Sequence, residues 1–310
     1  MTSAPRLFCL DTVMVDIVMK IDALPRRGFD AVSSEHLATA GGGFNAMSAA
    51  ARHGMTAIYG GRLGSGPFSE IASGALRQER IATPIASDPD RDVGFCVVLV
   101  DGAGERTFIT APGAEGGLRA SDLDELDVAS GDYVFLSGYN VVYPEIGAAV
   151  TQWFSTLSEE IIVAFDPGPR VMDIDDGALR TVLDRTDWLL CNADEAAWLS
   201  RTSTPEGAAR ALLTRHCRRG VVVRDGAAGC VVGTKDVAPV RVEGFSVEVV
   251  DTNGAGDTHN GVFLSELGRG TDLREAARRA NAAAALAISQ FGPATCPSRD
   301  VISQWFAEFS

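Results

Sequence analysis

The stretch Asp251-Thr252-Asn253-Gly254-Ala255-Gly256-Asp257 carries two glycines at alternate positions and ends on a carboxylate. A β-branched run at 247–250 precedes it and reads as a strand. An apolar-periodic stretch starting near Thr258 follows and reads as a helix. Strand, glycine turn and helix in that order form the repeating unit of a parallel α/β sheet. Gly254 and Gly256 leave backbone N–H groups uncovered, and a helix N-terminus favours negative charge there. The loop therefore suits an anion such as a phosphoryl group. Asp257 sets a carboxylate inside the same positive site. That arrangement makes sense if the acid takes a proton beside a transferring phosphate. A helix cap on a glycine turn is the plainer structural reading of the same residues. A dinucleotide fingerprint does not fit, because Gly254-x-Gly256 is followed by Asn260 and Gly261 and misses G-x-G-x-x-G.

Working outward, strand-like runs at 6–10, 133–137, 161–165, 188–191, 220–223 and 247–250 alternate with helical stretches at 44–53, 145–157, 206–216 and 273–290. This rhythm predicts right-handed βαβ units: a mostly parallel central sheet flanked by helices on both faces. Two segments break it. Residues 13–40 alternate around a Pro25–Gly28 turn, and 94–111 fold about a hairpin turn at Asp101-Gly102-Ala103-Gly104. Neither has a helix to pair with the main sheet. They predict a small β lid, 13–40 and 94–111, inserted into an α/β domain made of 1–12, 41–93 and 112–310. Residues 275–290 are alanine-rich, which suits close helix packing.

The 310 residues carry 27 Lys+Arg against 41 Asp+Glu, a formal charge of −14. Such a surface repels phosphate backbones and argues against a nucleic-acid partner. No apolar run approaches the roughly 20 residues of a membrane helix, and Met1–Leu10 lacks the features of a secretory leader. The cysteines, Cys9, Cys96, Cys191, Cys217, Cys230 and Cys296, form no C-x-x-C pair and read as reduced core residues of a cytoplasmic protein. The histidines show no metal-ligand spacing. The only lysines, Lys20 and Lys235, do not follow glycine, so any use of ATP proceeds without a Walker lysine; H-R-D and D-F-G are also absent.

Three further sites stand out. Gly41-Gly42-Gly43-Phe44-Asn45 opens a helix; the glycines admit a ligand close to backbone, and Asn45 offers a donor and an acceptor suited to vicinal hydroxyls. A flexible turn with Asn45 as N-cap is the alternative. Asn192-Ala193-Asp194-Glu195 follows a strand, where α/β ligands bind. Glu195 suits Mg²⁺-bound waters and Asn192 a phosphate, although an acidic first helical turn explains both residues structurally. Asp16 sits where a lid would meet sugar hydroxyls, whereas Asp11 reads as a turn residue.

These blocks resemble the ribokinase-like (PfkB) carbohydrate kinases. The likeness rests on Gly41-Gly42-Gly43-Phe44-Asn45, Asn192-x-x-Glu195 and Asp251-Thr252-x-Gly254-Ala255-Gly256-Asp257. It extends to Gly104-Glu105-Arg106-Thr107, Ser137-Gly138, Asp166-Pro167-x-x-Arg170 and Asn281. Within the family the chain is most similar to bacterial sugar kinases of unassigned substrate. The resemblance implies ATP-dependent phosphorylation of a sugar hydroxyl, with a terminal CH₂OH as the expected acceptor. Asp257 would be the general base, and the amides of Gly254, Ala255 and Gly256 would hold the phosphate. Asp16, Gly42 and Asn45 would bind the sugar. Asn192, Glu195, Arg224, Gly226, Gly229 and Asn281 would serve the nucleotide, with Glu195 reaching Mg²⁺ through water. A monovalent cation, K⁺, is implied beside the loop, with Asp251 and Asn253 at the matching positions and backbone carbonyls as ligands. A homodimer through the lid is implied as well.

The chain departs from the family pattern at Asp11, where glycine is common, at Gly42 and Gly66, where polar side chains are common, and at Arg224, where a small polar residue is frequent. These departures bear on the choice of sugar rather than on phosphoryl transfer. A nucleoside kinase shares every motif and differs in aromatic lining, for which Phe29, Phe44, Phe95, Phe108 and Tyr139 are the candidates. A non-catalytic sugar-binding protein would be expected to lack Asp257 or the glycine pair. His259 is expected on the surface of its helix.

Overall fold

Successive residues of the first strand face opposite cores: Leu7 and Cys9 one, Phe8 and Leu10 the other. A strand buried on both faces belongs inside a covered sheet. The computed structural model describes residues 4–308; the first three residues of the Met1–Leu10 segment lie outside them. The strands are β1 (Arg6–Leu10), β2 (Val13–Lys20), β3 (Glu35–Gly42), β4 (Thr56–Tyr59), β5 (Phe95–Val100), β6 (Arg106–Ala111), β7 (Tyr133–Ser137), β8 (Ile162–Asp166), β9 (Trp188–Asn192), β10 (Gly220–Arg224), β11 (Cys230–Thr234) and β12 (Val240–Val242). The helices are α1 (Gly43–Arg52), α2 (Pro67–Gln78), α3 (Ala120–Leu123), α4 (Gly138–Val142), α5 (Pro144–Phe154), α6 (Asp176–Arg185), α7 (Ala193–Ser200), α8 (Pro205–Arg215), α9 (Ala255–Gly268), α10 (Leu273–Ile288) and α11 (Arg299–Glu308).

The main sheet has eight strands in the order β12-β11-β10-β9-β8-β7-β1-β4. From β4 to β10 every pairing is parallel; β11 and β12 close the edge as antiparallel strands. The order runs one way from β1 to β4 and the other way from β7 onward. This reversal leaves a crevice at the C-terminal ends of β1 and β7.

A separate four-stranded sheet has the order β3-β2-β5-β6. Its β2–β5 pairing is parallel and its two outer pairings are antiparallel. Asp101 N donates to Glu105 O in the turn between β5 and β6. Val18, Cys96, Val98 and Val100 form a small core on one face of this sheet, and Phe291 of the main body packs against it.

The expected strand at 247–250 does not form. After β12 the chain runs without a sheet partner, Val250 and Asp251 donate their N–H groups to Ile288 O at the end of α10, and Val249 and Val250 are exposed. The β-branched run therefore lacks the neighbour a strand needs. The helix after it begins at Ala255, earlier than Thr258, because Gly254 adopts φ 71° at the cap. β4, α2, α6, α7 and the β11–β12 ribbon are additions that periodicity did not predict. Among the described residues, no helix is long and apolar enough to cross a membrane.

Candidate active site

A cavity of about 790 Å³ lies at the crevice, between the C-terminal ends of the parallel strands and the second sheet. Two helix N-termini meet there. α1 and α9 pack so closely that a Cβ on Gly261 would stand 2.2 Å from the Ala46 carbonyl oxygen. This contact brings residues 212 positions apart together: Asn45 Nδ2 donates to Asp257 Oδ2 at 3.2 Å. Asn45 is the third residue of α1 rather than its cap, which is Gly42. Its buried Oδ1 has no partner among the described residues. Asp257 lies in the first turn of α9, beside amides with no partner inside the helix. Burial pushes its carboxyl up to about 6 and the nearby charge of Asp166 adds to this, while the Asn45 hydrogen bond and Arg224 oppose it.

The glycine block makes room for a second acid. A Cβ on Gly41 would collide with the Asp16 carboxylate, and one on Gly42, at φ 61°, with the Thr12 carbonyl oxygen. Asp16 Oδ2 accepts from Asn253 Nδ2 at 3.2 Å. Burial raises the Asp16 carboxyl to about 6; Asn253 opposes the rise and Asp251 adds to it.

A third group sits at the ends of β8, β9 and β10. Arg224 Nη2 donates to Asp166 Oδ2 at 3.0 Å and lies 3.9 Å from Glu195 Oε2. Asn260 Nδ2 donates to the same Asp166 oxygen at 2.6 Å. The Arg224 guanidinium is 3.6 Å from where a Gly256 Cβ would stand, so a fixed positive charge backs the glycine loop. Glu195 lines the cavity, and burial with the charge of Asp166 raises it to about 7 against the pull of Arg224. Among the described residues no cluster of three or more His, Cys, Asp or Glu forms a metal cage. The Asp166 and Glu195 carboxylates at the cavity would suit Mg²⁺, which keeps its waters and leans on substrate phosphates.

The sequence profile of the pfkB family carbohydrate kinases matches residues 4–300. The chain belongs to the pfkB family of carbohydrate kinases. It is a phosphotransferase with an alcohol acceptor. It is 28% identical over 314 residues to "Uncharacterized sugar kinase YegV" of Escherichia coli K12, covering 97% of this chain and 94% of that one. A putative Ribokinase II from E. coli in complex with ATP and Mg²⁺ superimposes with a TM-score of 0.84 at 23% identity, covering 98% and 99% of the two chains. A Burkholderia thailandensis nucleoside kinase in complex with inosine gives 0.79 at 19% identity, covering 98% and 96%.

Of the residues the pfkB resemblance singles out, the cavity gathers Asp16, Gly42, Asn45, Glu195, Arg224, Asn253, Gly254, Ala255, Gly256 and Asp257. Others lie off it. Asn192 caps α7 and exchanges hydrogen bonds with Glu195 in a capping box. Gly226 and Gly229 shape the turn from β10 to β11, with positive φ at both. Asn281 donates to the Val242 and Glu243 carbonyls and holds His259 at 3.1 Å. Asp251 lies behind the loop with its carboxylate held by Arg106. His259 is buried against Phe263, not on the helix surface, because α9 is covered on nearly every side; burial lowers it to about 3. Gly66 caps α2 against Asp92, away from the cavity.

Asp11 departs from its reading as a turn residue. It lines the cavity, and burial with the charge of Asp257 raises it to about 8. Asp166, which the resemblance included within Asp166-Pro167-x-x-Arg170 without giving it a role, and Asn260, which did not stand out, form part of the centre. Asp166 ends a parallel strand, so the strand-end rule was the available signal. Of the aromatic candidates, Phe108 and Tyr139 line the cavity. Phe44 is core, Phe95 packs on Phe68, and Phe29 is exposed.

Proposed function

We propose that this kinase moves the γ-phosphoryl group of ATP onto a terminal CH₂OH of a sugar, with Asp257 as the general base. The observation that carries this reading is the half-buried Asp257 carboxylate, held by Asn45 at the head of α9 and beside the Gly254–Gly256 amides. A carboxyl raised to about 6 is ionised at neutral pH yet basic enough to take a hydroxyl proton as the oxygen attacks. The loop amides and Arg224 oppose the charge spreading over the transferring PO₃ group. Asp16 and the unpartnered Asn45 Oδ1 accept from sugar hydroxyls and fix which oxygen faces Asp257. Glu195 would hold Mg²⁺ through water, and Mg²⁺ when bound would supply further neutralisation of the phosphate oxygens. The second sheet acts as a lid that keeps water, a competing acceptor, out of the cavity.

Phe108 and Tyr139 at the cavity favour a second reading, a nucleoside acceptor whose base stacks on them. A panel of pentoses, hexoses and nucleosides with ATP and Mg²⁺, read by ADP release, separates the two. Asp257→Asn is expected to lower kcat by about 10²–10⁴ with little change in KM. Near-normal turnover in that variant removes Asp257 as the base. Sugar and ATP binding without product would instead point to a silent binding protein. The free, buried cysteines suit a reducing, cytoplasmic setting. The far face of the second sheet is proposed to pair two copies of the chain.

A further inference from the structure

The Asp251 carboxylate, 4% exposed, has its needs met by this chain alone. Its Oδ1 accepts from Arg106 Nη2 and from Asn253 N at 2.7 Å, and its Oδ2 from Gly292 N at 3.1 Å. Arg106 Nη1 also donates to Thr252 Oγ1 at 2.8 Å. Asn253, the other position expected beside a monovalent cation, spends its side-chain amide on Asp16. A guanidinium seated on Asp251 and Thr252 would repel a bare monovalent ion held by the backbone carbonyls of the same loop, so this arrangement does not fit K⁺ with Arg106 in place.

We propose that Arg106 is a built-in cation for the phosphate loop: carried by the second sheet, it holds Asp251 and Thr252 in the position that a monovalent ion would otherwise have to secure. Arg106 lies on β6, on the same face as Phe108 and Thr110, which line the cavity with it. One strand therefore carries both a wall of the acceptor site and the clamp on the loop. Leu37 of β3 presses on Gly292, and Phe291 enters the small core of the second sheet. The sheet thus grips the Asp251 environment from two sides. Seating an acceptor against β6 would also order the Gly254–Gly256 amides. Arg106 is a positioning residue in this scheme, and the scheme rests on the kinase reading.

The test uses the full chain in KCl and in tetramethylammonium chloride at equal ionic strength. The parent is expected to show kcat/KM within about two-fold in the two salts and no difference in melting temperature, since its charge site is filled. Arg106→Gln is expected to lose about 10–100-fold in kcat. It should regain part of that loss with K⁺ and acquire a K⁺-dependent melting temperature, because Asp251 is then unpaired. Arg106→Lys should fall between the two. Strong activation or stabilisation of the parent by K⁺ overturns the proposal. So does an Arg106→Gln protein with parental turnover, or one whose loss and melting ignore K⁺. If Arg106→Gln does not fold, Thr252→Val removes one end of the clamp, keeps the charge, and should lower kcat without conferring any K⁺ response; parental kcat there counts against the clamp. The melting comparison needs no acceptor, so it decides the cation question even if no substrate is turned over, an outcome that would sink only the kinase reading.

Discussion

Asp257 gathers opposing influences at one atom group, and its environment makes the pH response predictable. The acid must be ionised to act, so kcat/KM should rise with pH and level off above a limb near pH 6, the value to which burial lifts it. Asn45 lowers that value by donating to the ionised form. Asn45→Ala should therefore move the limb to higher pH as well as raise KM; a limb that stays in place would detach Asn45 from the base. Asp11 gives a separate test through stability. Its folded-state value near 8 lies well above the ordinary carboxylate value near 4, so the folded chain holds that proton more tightly than the unfolded one. The stability it contributes is complete below about pH 4 and is lost as pH rises through 8. Asp11→Asn should consequently melt higher than the parent at pH 8, with the gap closing towards pH 4. His259, held neutral, acts in the opposite sense but equally in both proteins. An unchanged gap across that range would show that Asp11 is not buried as described. Gly254 is constrained by its own geometry: it combines φ 71° with a Cβ position 3.0 Å from Asn45 Nδ2. Gly254→Ala should cost about 1–3 kcal/mol of strain and lower kcat by displacing Asn45.

At the scale of elements, the site depends on how closely α1 and α9 cross. Gly261→Ala would drive a methyl group into the Ala46 carbonyl. The expected cost is about 1–3 kcal/mol, read as a lower melting temperature, together with reduced turnover because Asn45 and Asp257 ride on the two helices. Nothing in the motif spacing announces this crossing; Gly261 looked like only the residue that spoils a dinucleotide fingerprint. The loop itself was legible because its glycines and terminal acid have few other uses together. The strands β1, β7, β8, β9 and β10 were legible because burial on both faces leaves continuous apolar runs. The run at 247–250 is also rich in β-branched residues but carries Glu248, and it fails as a strand, since whether such a segment finds a partner is decided by the fold around it. Asn281 and Asn192 were legible as polar residues at good positions. Their partners, the Val242 and Glu243 carbonyls and the α7 amide, become visible only once the chain is folded. Arg106 was visible inside Gly104-Glu105-Arg106-Thr107, but its partner lies 145 residues away and no local pattern links the two.

For the whole molecule, the two faces of the second sheet differ. Met14, Asp16, Cys96, Arg106, Phe108 and Thr110 face the cavity. The strand period places Ile17, Met19, Val97, Leu99 and Ile109 on the other side. α2 covers part of that far face through the Phe68–Phe95 contact, whereas Ile109 is 59% exposed and Val97 and Leu99 are half-buried. β6 is also an edge strand with an open side. An apolar face and an unpaired edge on one small sheet suit a self-complementary contact between two copies. Sedimentation velocity at micromolar concentration should give twice the chain mass. Ile109→Lys with Val97→Lys should shift the protein to the monomer, because two buried like charges would face each other across a two-fold contact. Neither side chain reaches the cavity, so the double variant should keep its affinity for ATP. Any loss should fall on KM for the acceptor, whose wall β6 forms. A parent that sediments as a monomer at every concentration would remove the paired arrangement and leave each lid to close alone.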